Sequence, residues 1–182
     1  KEFFEASKKN QLNMGGAGVG ASSFIAYALL KKAGAKLQYV PFNGGPEAAM
    51  ALAGNQLDSA TTNYEMFLPM LKQKKIRMLG VTGPERAEFA PDVPTLTEQG
   101  IPGIELDQIV GVHAPPGFPK NKLDIMAAAF AKAAQYPEFQ KMAKDAQLLL
   151  NPMGPEQFKK EFLKLHQMIE SIGPLLKEAA KQ

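Results

Sequence analysis

The sequence contains no cysteine among its 182 residues, which excludes a disulfide scaffold, a thiolate metal site and a cysteine nucleophile. It contains only two histidines, His113 and His166, far apart along the chain. A histidine-rich metal site is therefore excluded, and a Ser-His-Asp triad has few ways to form. No run of 18 apolar residues is present, which predicts that no helix spans a membrane. We expect no metal and no cofactor.

Signatures of catalysis are also missing. The sequence has neither a Gly-x-Ser-x-Gly elbow nor a His-Glu-x-x-His motif, the patterns of two large hydrolase classes. Its acidic residues form no obvious pair for acid–base chemistry. These absences predict that the protein is not an enzyme.

The charge balance is mildly basic, with 21 Lys and Arg against 18 Asp and Glu, a net charge of +3. The densest basic cluster is Lys72, Lys74, Lys75 and Arg77. A nucleic-acid site needs a longer basic stripe, so we interpret this cluster as a solvated helix end and predict no nucleic-acid partner. A mild positive field still favours small anions.

The first part of the chain alternates strand-like and helix-like patterns with short connections. Strands are predicted at 12–14, 36–42, 56–62 and 76–82, and helices at 1–9, 21–33, 46–53 and 64–73. Thr95 and Glu98 have the spacing of a capping box before one further short helix. This alternation is typical of an α/β fold with a mostly parallel sheet. Right-handed crossovers would bring the loops at 15–20, 42–45 and 62–63 to one edge of that sheet.

The composition changes near residue 115, and the rest of the chain is mainly helical in pattern. Apolar residues recur at helical spacing over 123–134 and over 158–172, and a short strand is predicted at 148–150. The two apolar stripes need a partner. They fold over each other, dimerise, or pair with a segment that this sequence does not contain.

The strongest local motif is a glycine-rich loop that leads into a helix. It comprises Gly18, Gly20 and Ala21, followed by Ser22 and Ser23. Free N–H groups and the dipole at a helix N-terminus favour an anion, and the serine hydroxyls are further candidate donors. No Gly-Lys-Ser/Thr follows, so the loop is not of the Walker A type. A tight turn before a capped helix would have the same pattern.

Two other loops carry neutral donors. Phe42, Asn43 and Gly44 follow one predicted strand, and Thr62 and Asn63 end the next. Such donors suit carboxylate oxygens, although an ordinary turn and a helix cap at Asn63 would explain them equally. The three loops together are stronger evidence for a ligand site than each loop is by itself, because α/β folds bind ligands at the carboxyl ends of their strands.

Several segments together resemble a known family. They are Gly18-Val19-Gly20-Ala21-Ser22, the segments 40–45, 54–58 and 79–82 with Arg86, then 91–95 with Glu98 and Gly100, and finally 111–119. In this order and spacing the chain resembles the Bug-type substrate-binding proteins of tripartite tricarboxylate transporters, over essentially its whole length.

The resemblance implies a type II periplasmic-binding-protein-like fold and a receptor that catalyses no reaction. The expected ligand is a small organic anion, such as a di- or tricarboxylate, and the expected partners are the membrane permease subunits of the transporter. The implied location is the periplasm, with the signal peptide already removed. Residues 1–113 would form one complete α/β lobe, the second of the receptor. Residues 114–182 would return as helices to the first lobe, most of which would come from an N-terminal segment absent here.

Some of the candidate site residues match the family pattern and others depart from it. Gly18, Gly20, Ser22, Gly44 and Asn63 match the family pattern. The departures from the residues usual in the family are Ala21, Phe24, Phe42, Asn43, Thr62 and Ile109. The backbone groups expected to bind the ligand therefore match the family pattern better than the side chains do. Three alternatives remain: a ligand-sensing domain of a regulator, an enzyme that holds a phosphate in the glycine loop, and a truncated remnant that binds nothing.

Overall fold

A three-stranded parallel sheet organises the first part of the chain in the computed structural model, which describes residues 1–106, 109–148 and 150–180. The strands are β1 (Leu12–Ala17), β2 (Leu37–Phe42) and β3 (Ser59–Ala60), in the order β2-β1-β3. Every pairing is parallel, and Ala17 at the end of β1 is in register with Phe42 at the end of β2. The predicted α/β class with a parallel sheet is confirmed.

Four helices accompany this sheet. They are α1 (Glu2–Lys9), α2 (Ser22–Lys32), α3 (Gly45–Ala53) and α4 (Tyr64–Lys72). The helix α2 is apolar on nearly every side and is buried from Ser23 to Leu30, as its sequence predicts. Its C-cap is Ala33, and Gly34 follows with a φ of 102°, in the left-handed region that glycine adopts without strain. The last helix of the chain, α8 (Gly173–Ala179), packs against α2.

Aromatic side chains form the centre of this core. The rings of Phe24 and Tyr27 on α2 pack against Tyr39 on β2, with centroids 5.1 and 5.0 Å from the Tyr39 ring. Met14 on the central strand is also buried. Burial of these large apolar groups fixes α2 on one face of the sheet and thereby places its first turn beside the end of β1.

Two strand predictions are wrong in extent. The segment predicted at 56–62 contributes only Ser59–Ala60 to the sheet, and the segment at 76–82 forms a single bridge, Val81 with Thr95, instead of a strand. Thr95 and Glu98 do form the predicted capping box, but the residues after them are turns and not a helix. Apolar alternation indicates a strand only where a neighbouring strand can pair with it.

The helical part contains α5 (Lys120–Ala133), α6 (Pro137–Asp145) and α7 (Pro155–Ser171), and α5 and α7 include most of the two predicted apolar stripes. The predicted strand at 148–150 includes Leu149, which lies outside the described residues, and its neighbours Leu148 and Leu150 are in no strand. Many large apolar side chains on these helices are exposed, among them Leu123, Ile125, Met126, Phe130, Phe162 and Leu163. None of the helices described is both long enough and apolar enough to cross a membrane.

The chain divides into two compact units. The first comprises the described parts of Lys1–Gln108 and Gly173–Gln182, and the second comprises those of Ile109–Ile172. The assignment of 1–113 and 114–182 to two different receptor lobes stays a prediction.

Candidate functional site

The loop after β1 is shorter than the glycine run predicts. Gly15 and Gly16 belong to β1, where they allow close packing. A Cβ on Gly15 would overlap the side chain of Leu57, and one on Gly16 would overlap those of Tyr39 and Ser23. The loop itself is 18–21. Gly18 and Gly20 have open space around them, and Gly20 has a φ of 100°.

The first turn of α2 presents backbone donors at this loop. The carbonyl of Ala21 accepts the N–H groups of Phe24 and Ile25, at 3.0 and 3.2 Å. Within the part of the chain that the structure describes, the N–H groups of Ser22 and Ser23 have no acceptor, as expected of the first residues of a helix. They are two backbone donors available to an anion at this position.

The two serine side chains have different surroundings. Ser22 is exposed, whereas Ser23 is buried and its hydroxyl lies 2.9 Å from that of Tyr39. Tyr39 in turn donates to the carbonyl of Ala17. Burial raises the pKa of the Tyr39 hydroxyl, while the hydrogen bond with Ser23 acts weakly in the opposite direction. The Ser23 hydroxyl thus belongs to a buried network, and only its backbone N–H is at the loop.

The loop after β2 already has an internal acceptor. The backbone N–H of Asn43 donates to Oε2 of Glu47 at 3.2 Å, and its side-chain amide lies 3.5 Å from Oε1. Phe42 is half-buried, and Gly44 is the N-cap of α3. The sequence analysis missed the Glu47 contact, although a spacing of four residues across a helix start could have indicated it.

The loop after β3 contacts β1 and the first residue of α3. The Thr61 N–H donates to the carbonyl of Gly15 at 3.0 Å, which ties this loop to the central strand. The side chain of Thr62 lies against Gly45, where a Cβ would overlap it. Asn63 is the N-cap of α4, but its side chain makes no capping hydrogen bond.

The predicted site residues therefore follow three adjacent strands at the same edge of the sheet. Gly18, Gly20, Ala21, Ser22 and Ser23 follow β1. Phe42, Asn43 and Gly44 end or follow β2, and Thr62 and Asn63 follow β3. Their available donors are neutral. The segments 18–23, 42–47 and 61–66 contain no Lys or Arg and carry two carboxylates, those of Glu47 and Glu65.

A stacked aromatic pair beside this edge was not predicted. Tyr64 directly follows Asn63, and its ring stacks on that of Phe89 with the centroids 3.9 Å apart and the planes 22° from parallel. The two residues are 25 positions apart, and no local sequence pattern connects them.

Neither histidine belongs to the three site segments. His113 packs edge-on against Phe158 and Phe162, and His166 Nε2 lies 3.3 Å from a carboxylate oxygen of Glu170. Residues 1–106, 109–148 and 150–180 contain no group of three or more His, Cys, Asp or Glu side chains that could hold a metal ion.

The sequence is similar to curated proteins along most of its length. A UPF0065 protein of Pseudomonas sp. strain P51 is 32% identical over 141 residues, which are 75% of this chain and 42% of that protein. The chain spans about half the length of the curated relatives it matches.

Two solved protein structures have the same fold. The periplasmic binding protein BugD is 28% identical with a TM-score of 0.75, and MatC from Rhodopseudomonas palustris, solved with bound malate, is 26% identical with a TM-score of 0.69. Each superposition covers 98% of this chain and 60% of the other. BugD is a periplasmic binding protein, which agrees with the prediction that this chain is not an enzyme. Residues 1–178 match the tripartite tricarboxylate transporter family receptor, and the chain therefore belongs to this family of receptors.

Proposed function

We propose that the chain forms part of a periplasmic receptor that binds a small organic carboxylate and delivers it to the membrane permease subunits of a tripartite tricarboxylate transporter. Family membership supports the receptor role. The malate bound to MatC, which is 26% identical, supports a carboxylate as the ligand. In this proposal residues 1–113 are one ligand-binding lobe, and 114–182 return to the other.

The observation that carries the proposal is the meeting of three donor-bearing loops at the carboxyl edge of one parallel sheet. A carboxylate would accept hydrogen bonds from the N–H groups of Ser22 and Ser23, where the dipole of α2 favours a negative charge. The Ser22 and Thr62 hydroxyls and the Asn63 amide would complete its hydrogen bonding. Gly18, Gly20, Ala21, Phe42, Asn43 and Gly44 would line the same site.

Thermal unfolding of this chain against di- and tricarboxylates, monocarboxylates, amino acids and phosphate tests the proposal. A ligand present at about 100 times its dissociation constant adds about 2.7 kcal/mol, which raises the melting temperature of a chain of this size by about 5–10 °C. We expect a selective shift with carboxylates.

The Ser22→Ala variant locates the binding in the same experiment. Ser22 is exposed, so its loss should leave the melting temperature without ligand unchanged and reduce the ligand-induced shift. The matched control is Ser171→Ala, which removes a hydroxyl bonded to the Met168 carbonyl on α7 and should leave the shift intact. A flat panel on a chain that melts cooperatively would contradict the proposed function. A shift insensitive to Ser22→Ala would remove this hydroxyl from the site.

A further inference from the structure

The stacked rings of Tyr64 and Phe89 form an aromatic wall beside the candidate site. Tyr64 is the first residue of α4 and directly follows Asn63 at the end of the β3 loop. Their ring centroids are 3.9 Å apart, the shortest centroid distance of any aromatic pair among the described residues. Both rings remain partly exposed. They therefore offer apolar surface at this edge and are not fully buried in the core.

The ion pair of Arg86 and Glu98, the clasp, holds the loop that carries Phe89 in place. Arg86 Nε donates to both carboxylate oxygens of Glu98, at 3.0 and 2.9 Å, and Arg86 Nη1 donates to the carbonyl of Pro91 at 2.9 Å. Glu98 also accepts the N–H of Thr95 at 2.7 Å. Hydrogen bonds between charged groups are directional, so the clasp fixes the chain on both sides of Phe89.

The site segments lack a cation that would favour a second carboxylate on the ligand. Arg86 is the cation closest to Phe89 in sequence, and its Nε and Nη1 atoms are engaged by Glu98 and Pro91. The three site segments contribute the carboxylates of Glu47 and Glu65 and no cation. A second ligand carboxylate would find no cationic partner in these segments, whereas a flat apolar body would contact two rings.

We propose, on the basis of the function proposed above, that the Tyr64–Phe89 wall determines ligand specificity. It contacts the body of the bound carboxylate and selects monocarboxylates with a flat apolar body over hydroxylated dicarboxylates of the malate type. Tyr64 and Phe89 are specificity-determining residues in this scheme, and Arg86 and Glu98 are positioning residues for Phe89.

Isothermal titration of this chain with benzoate and, separately, with L-malate tests the proposal. We expect benzoate to bind more tightly than malate. Phe89→Ala should weaken benzoate binding about threefold to tenfold, the range of a lost aromatic pair contact, and change malate binding less than twofold. Tyr64→Phe keeps both rings and should retain the preference. Phe130→Ala removes a half-exposed ring from α5 and should change neither affinity.

The outcomes separate this proposal from the proposed function. Binding of malate with no preference for benzoate, or equal losses for both ligands in Phe89→Ala, overturns the specificity wall and leaves the carboxylate receptor standing. Absence of binding by any carboxylate overturns both. The melting temperature of each variant is measured first. If Phe89→Ala lowers it, Phe89→Leu, which keeps apolar volume without an aromatic face, replaces it and should show the same selective loss for benzoate.

Discussion

At the scale of single residues, the Tyr39 hydroxyl links the core to the candidate site. It lies between the hydroxyl of buried Ser23 and the carbonyl of half-buried Ala17, so Tyr39→Phe leaves both of these polar groups with one partner fewer. We expect this variant to lower the free energy of unfolding at pH 7 by about 1–2 kcal/mol. Urea denaturation measures it, and Tyr136→Phe, at a half-exposed tyrosine, should have no effect.

The same residue gives a pH signature. Burial raises the pKa of Tyr39 above its ordinary value of 10.0, so the folded state holds this proton more tightly than the unfolded state does. The resulting stabilisation is complete below pH 10 and is lost as the pH rises through the folded-state pKa. The stability gap between the native protein and Tyr39→Phe should therefore narrow above pH 10. A gap that stays constant to pH 11 would contradict a buried, protonated hydroxyl.

Single residues also show where sequence reasoning about the site is limited. The glycine pattern predicted a loop between β1 and α2, but it did not show that Gly15 and Gly16 belong to the strand. The role of the Ser23 hydroxyl could not be predicted, because its partner Tyr39 comes from the next strand. The stack of Tyr64 on Phe89 is equally non-local. Side-chain partners at a site depend on tertiary packing, which local patterns do not encode.

At the scale of elements, the Arg86–Glu98 clasp stabilises the loop that carries Phe89. The hydrogen bond from Arg86 lowers the pKa of Glu98 most, and the one from the Thr95 backbone lowers it further. A carboxyl group with a lowered folded-state pKa contributes stability above its unfolded value of 4.5, and this is lost as the pH falls through the folded-state value. The variant Glu98→Gln keeps a side chain that suits the capping box but loses the charge.

We therefore expect the urea midpoint of the native protein to exceed that of Glu98→Gln at pH 7 and to approach it at pH 3. Because both side chains of the clasp are partly exposed, about 1 M NaCl should reduce the difference at pH 7. Lys8→Gln, which breaks an exposed pair with Glu5 on α1, is the matched control for loss of a surface ion pair. A difference between the native protein and Glu98→Gln that is the same at both pH values would exclude the charge as its cause.

Helices were predicted better than strands, for a physical reason. The bounds of α2 and α7 follow from apolar spacing, a proline or glycine at each start or end and internal hydrogen bonds, all of which are local. The segment at 76–82 has the composition of a strand, but its hydrogen bonds depend on a partner, and only Val81 finds one, at Thr95. The adjacency of the three site loops was predictable, because parallel strands with right-handed crossovers bring their carboxyl ends together.

At the scale of the whole molecule, the two compact units differ in how much apolar surface they bury. Most of the core side chains, including Met14, Phe24, Tyr27 and Leu37, belong to the first unit. Among the described residues of the second unit, only Ala143 and Ile172 are buried. Large apolar side chains on α5 and α7 remain exposed, and exposed patches of this kind are typical of surfaces that meet another protein segment.

This difference predicts uneven hydrogen exchange. Amides of β1 and α2 should open only with global unfolding, whereas those of α5 and α7 should open locally, because few buried contacts oppose their fraying. We expect exchange in α5 to be at least about tenfold faster than in α2 at low protein concentration, measured peptide by peptide by mass spectrometry. Equal protection of α2 and α5 at every concentration would contradict the prediction. Protection of α5 that rises with protein concentration would show that a second copy covers its apolar face, because only association depends on concentration.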